Sequence, residues 1–177
     1  MTVFYDAADW HNLPQGQACC FYADGEFAAP QPTATRFIQP PDSRNITVTG
    51  NAASASILDG LPDNLITPPK VRAFVRDRRG AQEDAIIYTP RSWVAEYQAI
   101  LADSGEGELG QYERLYWWIA TLDGKDWTAP GLAADLLKNW GAKLPAAAIW
   151  AVQNNQIPSL GPAARADQSE LFLEWRP

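Results

Sequence analysis

Three aspartates, Asp6, Asp24 and Asp59, each close a short run of β-forming residues: VFYD, CFYAD and SILD. Three further runs end in polar residues, AIIYT at Thr89, YWWIAT at Thr121 and AIWAVQ at Gln153. When parallel strands close into a barrel, their C-terminal ends open onto one face, and ligands meet the protein there. Carboxyl groups gathered on that face suit acid–base work on a glycosidic bond. The chemistry takes two of them, about 5–5.5 Å apart for retention and about 6.5–9.5 Å apart for inversion. Asp6, Asp24 and Asp59 are therefore the candidate catalytic residues. Glu26, two residues beyond Asp24, is a further acid within reach of the same mouth. Gln153 has an amide with which to hydrogen bond a sugar.

Each candidate also has a plainer reading. Asp6 suits the cap of the turn that begins at AADW, and Asp24-Gly25 and Asp59-Gly60 are turn-forming pairs. Gln153 could be an ordinary strand end. His11 is the only histidine, so no His-rich metal centre can form, and a Ser/His/Asp triad could be built only around it. The three aspartates lack the spacing of a calcium loop, so neither metal nor cofactor is expected. Cys19 and Cys20 are adjacent and point to opposite faces of an extended chain, which rules out an ordinary disulfide between them.

The elements that must position these residues alternate. Eight β-like runs occur, at Val3–Asp6, Cys20–Asp24, Asn45–Gly50, Ser56–Asp59, Ala85–Thr89, Tyr116–Thr121, Ala148–Gln153 and Ser169–Trp175. Several are apolar without alternation, as strands covered on both faces should be. Within YWWIAT, one of Trp117 and Trp118 should face the barrel interior and the other the helices. Three helices are predicted between the later runs. The first follows Thr67 with Pro68 in its first turn, and stops at Gly80. The second is predicted to start at Thr89-Pro90, with Trp93, Val94, Tyr97, Ile100 and Leu101 on its apolar stripe. The third follows Thr128, carries Leu132, Leu136, Leu137 and Trp140, and ends at Gly141. Residues 26–44 are rich in Pro, Ala and Thr, and residues 154–167, with Pro158, Gly161 and Pro162, read as loop. The pattern predicts one α/β domain over residues 1–177. It is a short, irregular (β/α)8 TIM-type barrel with helices missing in its first half. The length lies below the ~200 residues at the short end for such barrels.

The ordered set of YADGEF, RNITVTG, a strand ending at Asp59, IIYTPRSW, YWWIATLDG, AIWAVQ and ADQSELF resembles the glycoside-hydrolase-like domains of actinobacteria and their phages. These are distant relatives of the family 25 muramidases. The resemblance spans nearly the whole chain. It implies a cluster of acids at the barrel mouth, with Asp6, Asp24 and Asp59 on the family's acidic positions and Asp167 on a late one. Tyr88, Trp118, Gln153 and Asp167 become candidate ligand-binding residues. It also implies an Asp-x-Glu motif whose glutamate donates a proton. Here that motif reads Asp59-Gly60-Leu61, and leucine has no proton to give. Loss of a general acid typically costs ~10²–10⁴-fold, unless Glu26 or Asp63 substitutes.

Composition bounds the partners. The formal net charge of −7 disfavours nucleic acid and anionic membranes, both of which need basic surfaces. The N-terminus has no signal-peptide pattern, and no run approaches the ~18 apolar residues of a membrane span. The expectation is a chain made in the cytoplasm that reaches a cell wall within a virion or after lysis. Three readings follow. In the first, the chain is a muramidase-like barrel with a degraded motif, a minor tail or other virion protein that binds cell-wall glycan or packs structurally. In the second, it is an active glycosidase using Asp6, Asp24, Asp59 and Glu26. In the third, it is an assembly module whose partners are other virion proteins.

Overall fold

The computed structural model describes residues 2–7, 9–14, 16–29, 45–53, 55–60, 66–102, 114–158 and 165–173. Seven strands form one sheet: β1 (Thr2–Asp6), β2 (Ile46–Thr47), β3 (Ile57–Asp59), β4 (Ala85–Pro90), β5 (Leu115–Ala120), β6 (Ile149–Pro158) and β7 (Arg165–Leu171). Their order is β1-β7-β6-β5-β4-β3-β2. The five strands β2 to β6 are parallel, and β7 is antiparallel to both of its neighbours.

The sheet is curled, because both of its edges meet the same short segment. Tyr5 N donates to Ala18 O and Cys20 N to Tyr5 O, each at 2.8 Å. On the other side Ile46 N donates to Phe21 O and Ala23 N to Ile46 O, each at 2.7 Å. Residues 18–23 thus pair in parallel with β1 through Cys19 and with β2 through Tyr22.

Among the described residues three α-helices cover the outer face: α1 (Pro68–Gly80), α2 (Val94–Ala102) and α3 (Ala129–Trp140). Val71, Phe74 and Val75 of α1, Val94, Tyr97 and Leu101 of α2, and Leu132 and Leu136 of α3 share one apolar core with Leu58, Ile87, Trp117 and Ile119. The inner face packs separately, with Phe4, Cys20, Tyr22, Ile57, Ile86, Tyr88, Trp118 and Trp150 together. Trp117 and Trp118 therefore lie on opposite faces, as adjacent strand residues must. Both sides of the central strands are dry, which explains their unbroken apolar runs.

Helix α3 follows its local signals. Thr128 Oγ1 accepts from Gly131 N, and Gly141 takes the left-handed conformation at the C-cap, where a residue without Cβ is strain-free. Leu137 and Trp140, assigned from periodicity to its buried stripe, are 56% and 41% exposed. The stripe that meets the sheet is narrower, formed by Leu132 and Leu136.

Three other expectations are corrected. The second helix does not begin at Thr89-Pro90: β4 runs through Pro90, and a 3₁₀ turn, Arg91–Trp93, precedes α2. Residues 154–167 are not one loop, since β6 extends to Pro158 and β7 starts at Arg165. Finally, the strands are not all parallel. Only residues 159–164 join β6 to β7, whereas a parallel crossover needs a dozen or more residues. A hairpin connection is all that length allows. Among the described residues the helices do not make a full (β/α)8 pattern, and before residue 66 only the 3₁₀ turn Trp10–Asn12 is helical. None of the described helices is long and apolar enough to cross a membrane.

The exit from β3 depends on a glycine. Gly60 N donates to Tyr88 O at 2.8 Å, and Tyr97 Oη donates to Gly60 O at 2.7 Å. A Cβ at this position would stand 2.9 Å from Tyr88 O and 3.0 Å from the Tyr97 ring. Overpacking of this kind costs about 1–3 kcal/mol. Gly60→Ala should lower the urea midpoint by a corresponding amount with an unchanged slope; an unshifted midpoint would show that the exit can relax.

Candidate functional site

Asp6 ends β1, and Asp59 ends β3. Period-two alternation sends both side chains to the inner face, in line with Phe4 and Ile57. They cap the inner core and are themselves almost sealed, at 3% and 1% exposure. A third acid joins them from β7. Asp167 is the cross-strand partner of Asp6 in the antiparallel register, so the two side chains share a face with Cβ atoms about 4.5–5.5 Å apart. Asp167 is only partly buried and forms the outer member of the group.

Neutral side chains tie the acids together. Gln153 Nε2 donates to Asp6 Oδ1 at 3.4 Å, and its Oε1 accepts a short hydrogen bond from Tyr88 Oη. Tyr22 Oη donates to Asp59 Oδ2 at 2.9 Å. Beneath them Trp118 stacks at a tilt against Tyr88, with centroids 4.5 Å apart, and donates its indole N–H to Ser169 Oγ at 2.9 Å. Trp118 is fully buried and makes the floor.

Burial removes water from Asp6 and raises its pKa well above the usual carboxylate range. The charges of Asp167 and Asp59 add to the rise, and the Gln153 hydrogen bond opposes it. Burial first, then the neighbouring acids, likewise hold the Tyr22 and Tyr88 hydroxyls protonated far above their normal range. Both are dependable donors at neutral pH. Burial and the charge of Asp6 push the Cys19 thiol up to about 12 and Cys20 well above its usual value. Neither cysteine is a nucleophile at neutral pH.

Asp24 does not join the cluster. Cys20 and Tyr22 point inward, and continued alternation would send Asp24 the same way. The chain instead turns at Gly25, where φ is +76°, and the Asp24 carboxylate swings to the end of β2. There it accepts from Thr47 Oγ1, from Thr49 Oγ1 at 2.6 Å, and from the backbone of Val48 at 2.8 Å and Thr49 at 3.3 Å. Burial would raise its pKa, but these donors outweigh it and hold the group below the usual range. Asp24 is a clasp between residues 18–23 and β2. Glu26 lies exposed on the turn beyond it. Leu61 and Asp63 lie outside the described residues.

Of the residues the sequence pointed to, the structure gathers Asp6, Asp59, Asp167, Gln153 and Tyr88, with Trp118 below them. Tyr22 was missed. Its signal was present in CFYAD, where it shares the inward phase of Cys20. Among the described residues no group of three or more His, Cys, Asp or Glu side chains is arranged to hold a metal ion. What remains is a buried acid with a raised pKa beside two further acids, ringed by an amide and two phenols. No family model, no curated protein and no solved structure matches this chain.

Two aspartates with opposite electrostatics give opposite pH signatures. The lowered pKa of Asp24 means that its contribution is present above the unfolded value of ~3.9 and is lost as pH falls through the folded value. Asp24→Ala should cost about 1.5–3 kcal/mol at neutral pH, the worth of hydrogen bonds to a charged group, and urea melts of mutant and wild type should converge under acid. Asp6 runs the other way: its contribution is present at low pH and is lost as pH rises. Asp6→Asn should therefore raise the urea midpoint most at alkaline pH, and a mutant that gains equally at all pH values would contradict the assignment.

Proposed function

We propose that this chain is a glycoside-hydrolase-like barrel that recognises a cell-wall glycan without turning it over at the rate of an enzyme. The observation that carries this reading is the sealing of the two strand-end acids. Asp6 and Asp59 are nearly inaccessible and already engaged by Gln153 and Tyr22. A hydrolase must place both carboxyl groups against the scissile bond. Leu61, at the position of the proton-donating glutamate in the Asp-x-Glu motif, supports the same reading. Asp167, the part-exposed member, is the group that reaches a sugar hydroxyl. The fold that goes with this reading is an irregular eight-stranded barrel in which residues 18–23 serve as the eighth strand. The setting, a minor tail or other virion protein of an actinobacterial phage, rests on the sequence resemblance.

A second reading has its own support. Asp6 is driven toward its neutral form beside Asp59 and Asp167, and a carboxyl group whose pKa is raised is what a glycosidase uses as its general acid. Under that reading Asp6 takes the donor role that Leu61 cannot.

The two readings part on one experiment. The protein, with Asp167→Ala and Asp59→Ala variants, is incubated with actinobacterial peptidoglycan; sedimentation gives binding and mass spectrometry gives soluble products. The expected result is co-sedimentation, weakened about tenfold by Asp167→Ala, the equivalent of ~1.4 kcal/mol, with no saccharide released. Saccharides that disappear with Asp59→Ala would establish the hydrolase instead. Neither binding nor release by a folded protein would overturn both readings.

A further inference from the structure

The hydrogen bonds around Asp6 are directional. Tyr88 lies buried, and its hydroxyl donates to Gln153 Oε1. The oxygen of the amide is thereby occupied, and its N–H₂ group must turn toward Asp6, where Nε2 donates to Oδ1. A carboxyl oxygen that accepts from an amide has a lone pair engaged there, so a proton on the group belongs on the other oxygen. Burial and the facing acids Asp59 and Asp167 both favour one proton on the group.

We infer that the Tyr88–Gln153 pair orients Asp6 as the protonated member of the buried acid cluster, with its acid proton on Oδ2, so that the cluster holds a hydrogen donor beside its acceptors and is not a cation cage. The orientation of Asp6 does not rest on the glycan reading above. Gln153 is then a positioning residue, and its amide serves Asp6 before any sugar. The titratable groups around Asp6 are Asp59 of β3, Tyr88 of β4, Asp167 of β7, and Tyr22, Cys19 and Cys20 of the closing segment. None of these carries positive charge. Tyr22 Oη donates to Asp59 Oδ2, which keeps Asp59 as the acceptor of the pair.

Infrared difference spectra of the free protein across a pH titration test the inference without any ligand. Wild type should show the carbonyl stretch of a protonated carboxylic acid at neutral pH, and Asp6→Asn should lack it. Gln153→Met removes the amide while keeping the length of the side chain. It should move that band to higher frequency, the mark of a carbonyl that has lost its donor, and delay its loss to higher pH. Should Gln153→Met fail to fold, Tyr88→Phe frees the amide and should move the band in the same sense by less. A spectrum with no such band at neutral pH, or a band unmoved in the folded variant, would overturn the inference. So would stoichiometric binding of Ca²⁺ or Mn²⁺ that Asp59→Asn abolishes. Failure of the glycan reading shows separately, as protein that keeps its band but does not sediment with peptidoglycan.

Discussion

The site exists because residues 18–23 hold both edges of the sheet at once. In the order β1-β7-β6-β5-β4-β3-β2, β1 and β3 are five strand spacings apart. Laid flat, that separation would be about 24 Å. Asp6 and Asp59 nonetheless feel each other's charge. They do so because Tyr5 on one edge and Ile46 on the other pair with Cys19 and Tyr22 of the same segment. Asp24 fastens this join, and Tyr22 extends it inward by donating to Asp59. One short stretch thus supplies the closure, the clasp and a member of the site.

Closure also sets the energetics. Once the sheet curls, its inner face holds Phe4, Trp118 and Trp150 in mutual ring contact, and acids above that layer lose their water. Burial of a carboxylate is costly unless donors replace the water. Asp24 has four donors and remains ionised. Asp6 has a single amide at 3.4 Å and is driven toward its neutral form. The same residue type at the ends of neighbouring extended segments becomes a structural clasp in one place and a hydrogen donor in the other. The difference lies first in burial and facing acids, since Asp6 is sealed beside Asp59 and Asp167, and then in the four donors that a part-buried Asp24 meets.

Much of the framework was legible along the chain. Pro68 in the first turn, the Thr128 cap and the left-handed Gly141 marked helix ends correctly, since these signals act within one turn. Trp117 and Trp118 divided between the two cores as alternation requires. Signals failed where tertiary contacts overrode them. Pro158 and its following glycine and proline read as breakers, yet Pro158 ends a long strand, a position a strand tolerates. Leu137 and Trp140 matched an apolar stripe that α3 does not bury.

Candidate acids at strand ends were likewise visible, and Asp6 and Asp59 came together as their positions suggested. Asp24 did not, because a glycine turn after Ala23 re-aimed it at β2. The pairing of Asp6 with Asp167 could not be read from spacing, since it depends on β7 running antiparallel. Residue type, period and turn chemistry are local, and they established which side chains point to which face of each strand. Register, strand direction and the joining of the two edges connect separate segments of the chain, as far apart as Asp6 and Asp167. Those links are set by backbone hydrogen bonds between separate segments, so the folded, curled sheet alone selected which acids face one another.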